Sequence, residues 1–178
     1  QSSEPDWGKL LQAKYVKNAL KIKDDKHFFH WELEFPEVFY DEQGNRKANA
    51  GFDAVVGNQP SGAEPLAELQ GIVITQTNDL YPVFIDRGLS LLNMAAKLAF
   101  IVPTSWQTSE RYTLWREQVL NIASPSTVIN LPYDVFPDAY IDTCIAIFCR
   151  GGVESIQVHE FPKRIDVSKI LRMNFPLE

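Results

Sequence analysis

Phe52-Asp-Ala-Val-Val-Gly-Asn-Gln-Pro-Ser-Gly62 is a short apolar run that passes directly into a polar turn. The pattern predicts a buried strand over 52–56. Pro60 biases Gln59 toward extended geometry, so Asn58 would be held at a fixed place on the strand's carboxyl end. Outward from this point the chain alternates. A helix is expected over 79–93, with Leu80, Phe84, Leu91 and Leu92 toward the core. A buried strand follows over 97–102, a helix over 109–122 and a strand over 127–131. A last long strand is expected over 141–149, and a short one over 155–160. Strand, helix, strand, helix, strand and a close-following strand describe part of an α/β sheet. Continuous apolar strands suggest cover on both faces. The connection between the strands at 127–131 and 141–149 has no room for a helix, so these two are expected to run antiparallel near one edge.

Upstream, Trp7, Leu10, Leu11, Tyr15, Ala19 and Ile22 recur at helical spacing with lysines between them. This predicts an amphipathic helix over 4–24. Phe28 to Phe35 alternates like a strand, Pro36 ends it, and 37–40 allows one helical turn. Asp41 to Gly51 is a polar loop, and 63–77 is ambiguous between loop and helix. Cys144 and Cys149 lie an odd number of positions apart in one strand and so face opposite ways; both are read as core.

The 178 residues are 45% hydrophobic and 22% charged, ordinary for a globular domain. The net charge is −6. That argues against a free-standing nucleic-acid binder, though not against a catalytic part whose basic grip lies elsewhere. The charge is uneven, at +2 over 1–26, −4 over 27–62 and −4 over 63–150. Two cysteines make no disulfide scaffold, so a reducing cytoplasm is expected. No apolar run is long enough to span a bilayer, and no membrane partner is expected. His27, His30 and Glu32 supply too few ligands for a metal, and no metal is expected; His30 and Trp31 are read as packing residues. Asp53 is read as a strand-end hydrogen-bonding group. No Ser-His-Asp or Cys-His arrangement is legible.

The segment Phe52 to Ser61 resembles the Asn-Pro-Pro-Tyr block of adenine-specific DNA methyltransferases. Its flanks resemble the same family, in particular the large methyltransferases of type II restriction–modification fusions and phage-defence systems. The matching stretches are His30-Trp-Glu-Leu-Glu-Phe-Pro-Glu-Val-Phe39, Asp79-Leu-Tyr-Pro-Val-Phe-Ile-Asp-Arg87, Leu98-Ala-Phe-Ile-Val-Pro-Thr-Ser-Trp106, and Leu131 to Ala139 with Asp142-Thr143. Together they cover roughly 27–150 in the family's order.

The resemblance implies the C-terminal half of a Rossmann-like methyltransferase sheet. It implies methyl transfer from S-adenosylmethionine to the exocyclic amino group of a flipped adenine. Asn58 and the backbone carbonyl of Gln59 would accept hydrogen bonds from that amino group, with Pro60 shaping the turn. Position 61 would carry a stacking aromatic, and Phe136 a second base-contacting one. Asp79, Tyr81 and Phe84 would border the cofactor. The sequence departs from the pattern at Gln59, where the family has Pro, and at Ser61, where it has an aromatic.

No Gly-rich cofactor turn is found in 1–50. The expected organisation is therefore an N-terminal helix over 1–26, a partial catalytic domain over 27–150 and a tail over 151–178. The chain is expected to be a piece of a longer protein, inactive alone, with no tightly bound cofactor and a tendency to self-associate. Double-stranded DNA would be reached through the missing regions. The alternative is a catalytically degenerate methyltransferase-like scaffold or interaction domain.

Overall fold

The structure is a computed structural model that describes residues 7–26, 29–59, 79–133, 135–136 and 141–161. It divides into two units, Gln1–Arg46 and Lys47–Glu178. The first contains α1 (Trp7–Gln12), α2 (Lys14–Lys26), α3 (Trp31–Glu34) and α4 (Pro36–Phe39). The single helix expected over 4–24 is broken at Ala13. There the Ala13 N–H bonds Leu10 O at 3.0 Å and Ala13 O accepts from Val16 N–H at 3.0 Å, a tighter three-residue spacing than the α-ladder.

The strand expected over 28–35 is incorrect, because Trp31–Glu34 is helical. The Glu34 N–H bonds His30 O at 2.9 Å, and the Phe35 N–H bonds Trp31 O at 3.0 Å. Four-residue spacing stacks Trp31 on Phe35, with ring centroids 6.0 Å apart and 22° between planes. Phe29 meets Trp31 edge-on at 4.9 Å. The alternation of apolar and polar residues here serves no sheet face, and Leu33 is 75% exposed. The turn expected after Pro36 is α4, with Pro36 in its first turn, where a missing N–H is harmless. Arg46 bonds Glu32 Oε1 at 3.1 Å. Its guanidinium lies 5.7 Å from the centre of the buried Phe39 ring.

The second unit holds the sheet. Its strands are β1 (Phe52–Asn58), β2 (Leu92–Pro103), β3 (Ala123–Asn130), β4 (Thr143–Arg150) and β5 (Gln157–Glu160). Their order is β1-β2-β4-β3-β5. Pairing is parallel for β1–β2 and β3–β5, and antiparallel for β2–β4 and β3–β4. The expected antiparallel pair is present, but β4 inserts between β2 and β3 rather than forming an edge. Helix α5 (Tyr81–Leu91) leads into β2, and α6 (Thr113–Leu120) into β3. Strand β2 starts at Leu92, earlier than the apolar run predicts.

One face of the sheet is a packed core. Leu98, Phe100 and Val102 of β2, Cys144, Ala146 and Phe148 of β4, and Val128 of β3 meet Ile85 and Leu89 of α5 and Trp115 and Val119 of α6. Trp115 is fully buried, and the rings of Tyr81, Trp106 and Tyr112 meet it edge-on at 6.2–6.4 Å. Each such aromatic pair adds about 0.5–1.5 kcal/mol beyond burial. Phe84 is the exception to the expected core, at 38% exposure. Tyr81, Ile85, Gly88 and Leu89 form the buried stripe of α5 instead.

The opposite sheet face is less covered than the strand composition suggests. Ile101, Ile145 and Ile147 are only partly buried, and Val56 is 79% exposed. Cys144 and Cys149 do face opposite ways, but only Cys144 is core; Cys149 is partly exposed.

The entry to β1 is fixed by backbone crowding. A Cβ on Gly51, whose φ is +136°, would lie 2.4 Å from Asn93 N and from Leu92 C. From Phe52 to Ala54, β2 advances from Leu92 to Lys97, and the surplus forms a bulge with Ala95 at φ +66°. Asn93 Nδ2 donates to Asp53 Oδ1 at 2.6 Å, so Asp53 is the strand-end hydrogen-bonding group expected.

Candidate functional site

Strands β1, β2 and β3 run in the same direction, so their carboxyl ends lie on one rim of the sheet. In open α/β sheets this rim is where ligands bind. Asn58 is the last residue of β1; it pairs with Ile101 and its side chain is exposed. Gly57 precedes it, and a Cβ there would approach the Phe100 ring at 3.0 Å. The backbone that presents Asn58 is therefore pressed directly on the core.

Hydrogen bonds tie the neighbouring strand ends together. The Thr104 N–H bonds Asp142 O at 2.9 Å, and the Leu131 N–H bonds Thr143 O at 3.0 Å. Gln107 Nε2 donates to Asn130 Oδ1 at 2.8 Å. Arg116 locks the turn after β2 from below, donating to Trp106 O at 2.7 Å and Ser109 O at 2.9 Å. The blocks singled out around 98–106, 131–139 and 142–143 are thus brought to one rim with Asn58. Phe136 is partly buried in the segment that follows β3. Pro60 and Ser61 lie outside the described residues.

Asp79 and Tyr81 were expected beside a cofactor. The Tyr112 hydroxyl donates to Asp79 Oδ2. The Tyr81 hydroxyl lies 3.3 Å from Ser105 Oγ. The two tyrosine rings are 5.6 Å apart. Tyr81 is 6% exposed, and burial holds its hydroxyl well above the usual phenol range. Both groups are therefore engaged within the protein. Of the three expected cofactor residues, Phe84 alone presents an exposed side chain that hydrogen bonding does not engage. The described residues do not by themselves make a pocket fitted to S-adenosylmethionine.

Two features had no sequence signal. Tyr112 reaches Asp79 across 33 positions, a distance no periodicity reports. Gln59 is partly buried, and both polar atoms of its amide are enclosed without a hydrogen-bond partner. Burial also raises the Cys144 thiol above its usual range, with Trp106 and Gln107 opposing the shift. Among the described residues no group of three His, Cys, Asp or Glu could hold a metal ion. No described helix is long and apolar enough to cross a membrane.

Known proteins share this arrangement. A class I S-adenosylmethionine-dependent methyltransferase of Listeria monocytogenes superimposes with a TM-score of 0.54 at 16% identity, covering 68% of this chain and 41% of that one. A type I restriction modification subunit of Vibrio vulnificus gives 0.53 at 17% identity, over 76% of this chain and 32% of that one. These likenesses are of fold, and they establish the Rossmann-like methyltransferase class expected from the sequence. A Methanocaldococcus jannaschii protein, by name a type II restriction enzyme and methyltransferase, is 31% identical over 159 residues. The match takes in 85% of this chain but 13% of that protein. The pattern of the Eco57I restriction-modification methylase family matches residues 3–136. On the extent of that match and of the archaeal relative, the chain belongs to the Eco57I restriction-modification methylase family.

Proposed function

We propose that this chain is the acceptor-holding part of a restriction–modification DNA methyltransferase specific for adenine. The observation that carries the reading is the placement of Asn58. Its exposed amide ends a strand whose backbone is fixed by pairing with Ile101 and by contact with Phe100. Such a group can accept a hydrogen bond from an exocyclic amino group at a place set by the sheet. The backbone carbonyl of Gln59 would take the second amino hydrogen. Together they would aim the nitrogen lone pair and stabilise its developing positive charge. The base would be flipped out of double-stranded DNA to reach this rim. Phe136, partly buried after β3, would supply an aromatic face, worth about 1–3 kcal/mol of stacking. Ser61 would line the same pocket without a face to stack on, and Pro60 would fix the turn.

S-adenosylmethionine is the methyl source proposed for the whole protein. Phe84 and the polar groups near Asp79 and Tyr81 would border it, with most of its contacts made outside this chain. The acidic surface means that the DNA grip is also made elsewhere. The test is to digest DNA treated with the complete protein and labelled S-adenosylmethionine, then separate the bases. Label on N6-methyladenine is expected. Label on cytosine would refute adenine specificity. No label, with the cofactor bound, would favour the degenerate scaffold that the residues at 59 and 61 suggest.

A further inference from the structure

The Gln59 amide occupies an unusual position. Both Nε2 and Oε1 are enclosed, and neither has a hydrogen-bond partner. The one other enclosed side-chain atom of this kind among the described residues, Trp106 Nε1, lies beside the Cys144 thiol, with which it interacts. Gln59 has no such neighbour. An enclosed unpaired primary amide is costly, because folding strips its water and returns nothing. Packing gives no reason for it, since an apolar side chain of the same length would fill the space without that cost. Gln59 also stands directly after Asn58, at the end of β1. The unpaired donor and acceptor therefore lie next to the group that holds the acceptor base.

We infer that the Gln59 side chain is a specificity-determining contact that donates from Nε2 to a ring nitrogen flanking the adenine amino group. The inference rests on the reading of Asn58 as the amino-group acceptor. A primary amide matches adenine in this way because the amino group is flanked by acceptor nitrogens, N7 on one side and N1 on the other. Oε1 then shares, with the Gln59 carbonyl, the amino hydrogen that Asn58 does not take. Guanine and thymine present a carbonyl in place of the amino group, and they leave Oε1 unpaired. Base entry requires the cover over Gln59 to open, and binding exchanges an unsatisfied amide for a paired one.

The test uses the complete protein, wild type and Gln59→Met, on DNA carrying adenine, 7-deazaadenine or 1-deazaadenine at the target. Each deaza base keeps the amino group and lacks one ring acceptor. Wild type is expected to lose about tenfold or more in kcat/KM on one of the two analogues, the loss of one hydrogen bond to a base edge. Gln59→Met is expected to be slower on adenine and indifferent to that analogue. A structural role alone would not move this discrimination. Thermal unfolding without DNA gives a second readout, in which Gln59→Met is expected to melt several degrees higher, having no amide to bury. Equal discrimination by both proteins, or none by wild type, would overturn the inference and leave the Asn58 reading standing. No transfer to any adenine substrate by wild type would overturn both.

Discussion

Trp115 Nε1 donates to Asp86 Oδ1 at 3.1 Å, joining the centre of the α6 core face to a carboxylate on α5. The bond favours the charged carboxylate, but burial outweighs it and pushes the Asp86 pKa from 3.8 up to about 6. A raised pKa means that the folded state holds the proton more tightly than the unfolded chain does. The stabilisation is fully present below about pH 3.8 and is lost as pH rises through about 6. Asp86→Asn keeps an oxygen acceptor for the indole and removes the charge. We expect it to raise stability at pH 7.5 by about 1 kcal/mol, after discounting for partial exposure. The gain should vanish near pH 4. Urea unfolding of both proteins across that range checks it, and a pH-independent difference would contradict it.

The Asp79–Tyr112 bond should matter more than the Tyr81–Ser105 contact. The first ends on a carboxylate, the second is a 3.3 Å approach of two neutral hydroxyls. Tyr112→Phe is expected to cost about 1.5–3 kcal/mol and Tyr81→Phe less than about 1.5. Denaturant midpoints with unchanged slopes would report this order. The reverse order would mean that Asp79 is not seated as described.

Gly51 admits no side chain, since a Cβ would lie 2.4 Å from the backbone of Leu92 and Asn93. Gly51→Ala should cost at least about 2 kcal/mol, because backbone on both sides must shift. A thermal midpoint within a degree of wild type would show that the start of β1 can relax.

Among the described residues β1 pairs only with β2, and Val56 on it is 79% exposed. An open strand edge is a template for pairing with another chain. The chain alone should self-associate, and Val56→Lys should reduce it. Light scattering at rising concentration measures both. A strictly monomeric wild-type mass would count against an available edge.

The strands from Phe52 to Arg150 were legible because each is an apolar run bounded by turn residues. Asn58 was legible as a rim residue because a strand ends there. The stretch 28–35 misled because four alternating residues fit either period, and local stacking of Trp31 on Phe35 decided for a helix. Phe84 misled because the stripe of α5 is set by Ile85, Gly88 and Leu89, and Phe84 falls on the opposite side. The insertion of β4 between β2 and β3 could not be read from spacing, since an antiparallel strand can pair on either side. Nor could the engagement of Asp79 and Tyr81, whose partners lie 33 and 24 positions away.

Phe136 should show its role in base binding and not in folding. With 2-aminopurine at the target position, Phe136→Ala is expected to weaken binding of the flipped base by about five- to a hundredfold. Unchanged fluorescence and affinity would assign Phe136 to packing.

Asn58 carries the central claim, and the most direct measurement is labelled methyl transfer to adenine-containing DNA by the complete protein with Asn58→Ala. Asn58 is exposed at the strand end, so the change should leave the melting temperature nearly unaltered. Loss of one positioned group that acts on the reacting atom lowers kcat by about 10²–10³-fold. The account predicts a loss of that size with DNA and cofactor binding kept. An Asn58→Ala protein that transfers methyl groups at the wild-type rate would contradict it.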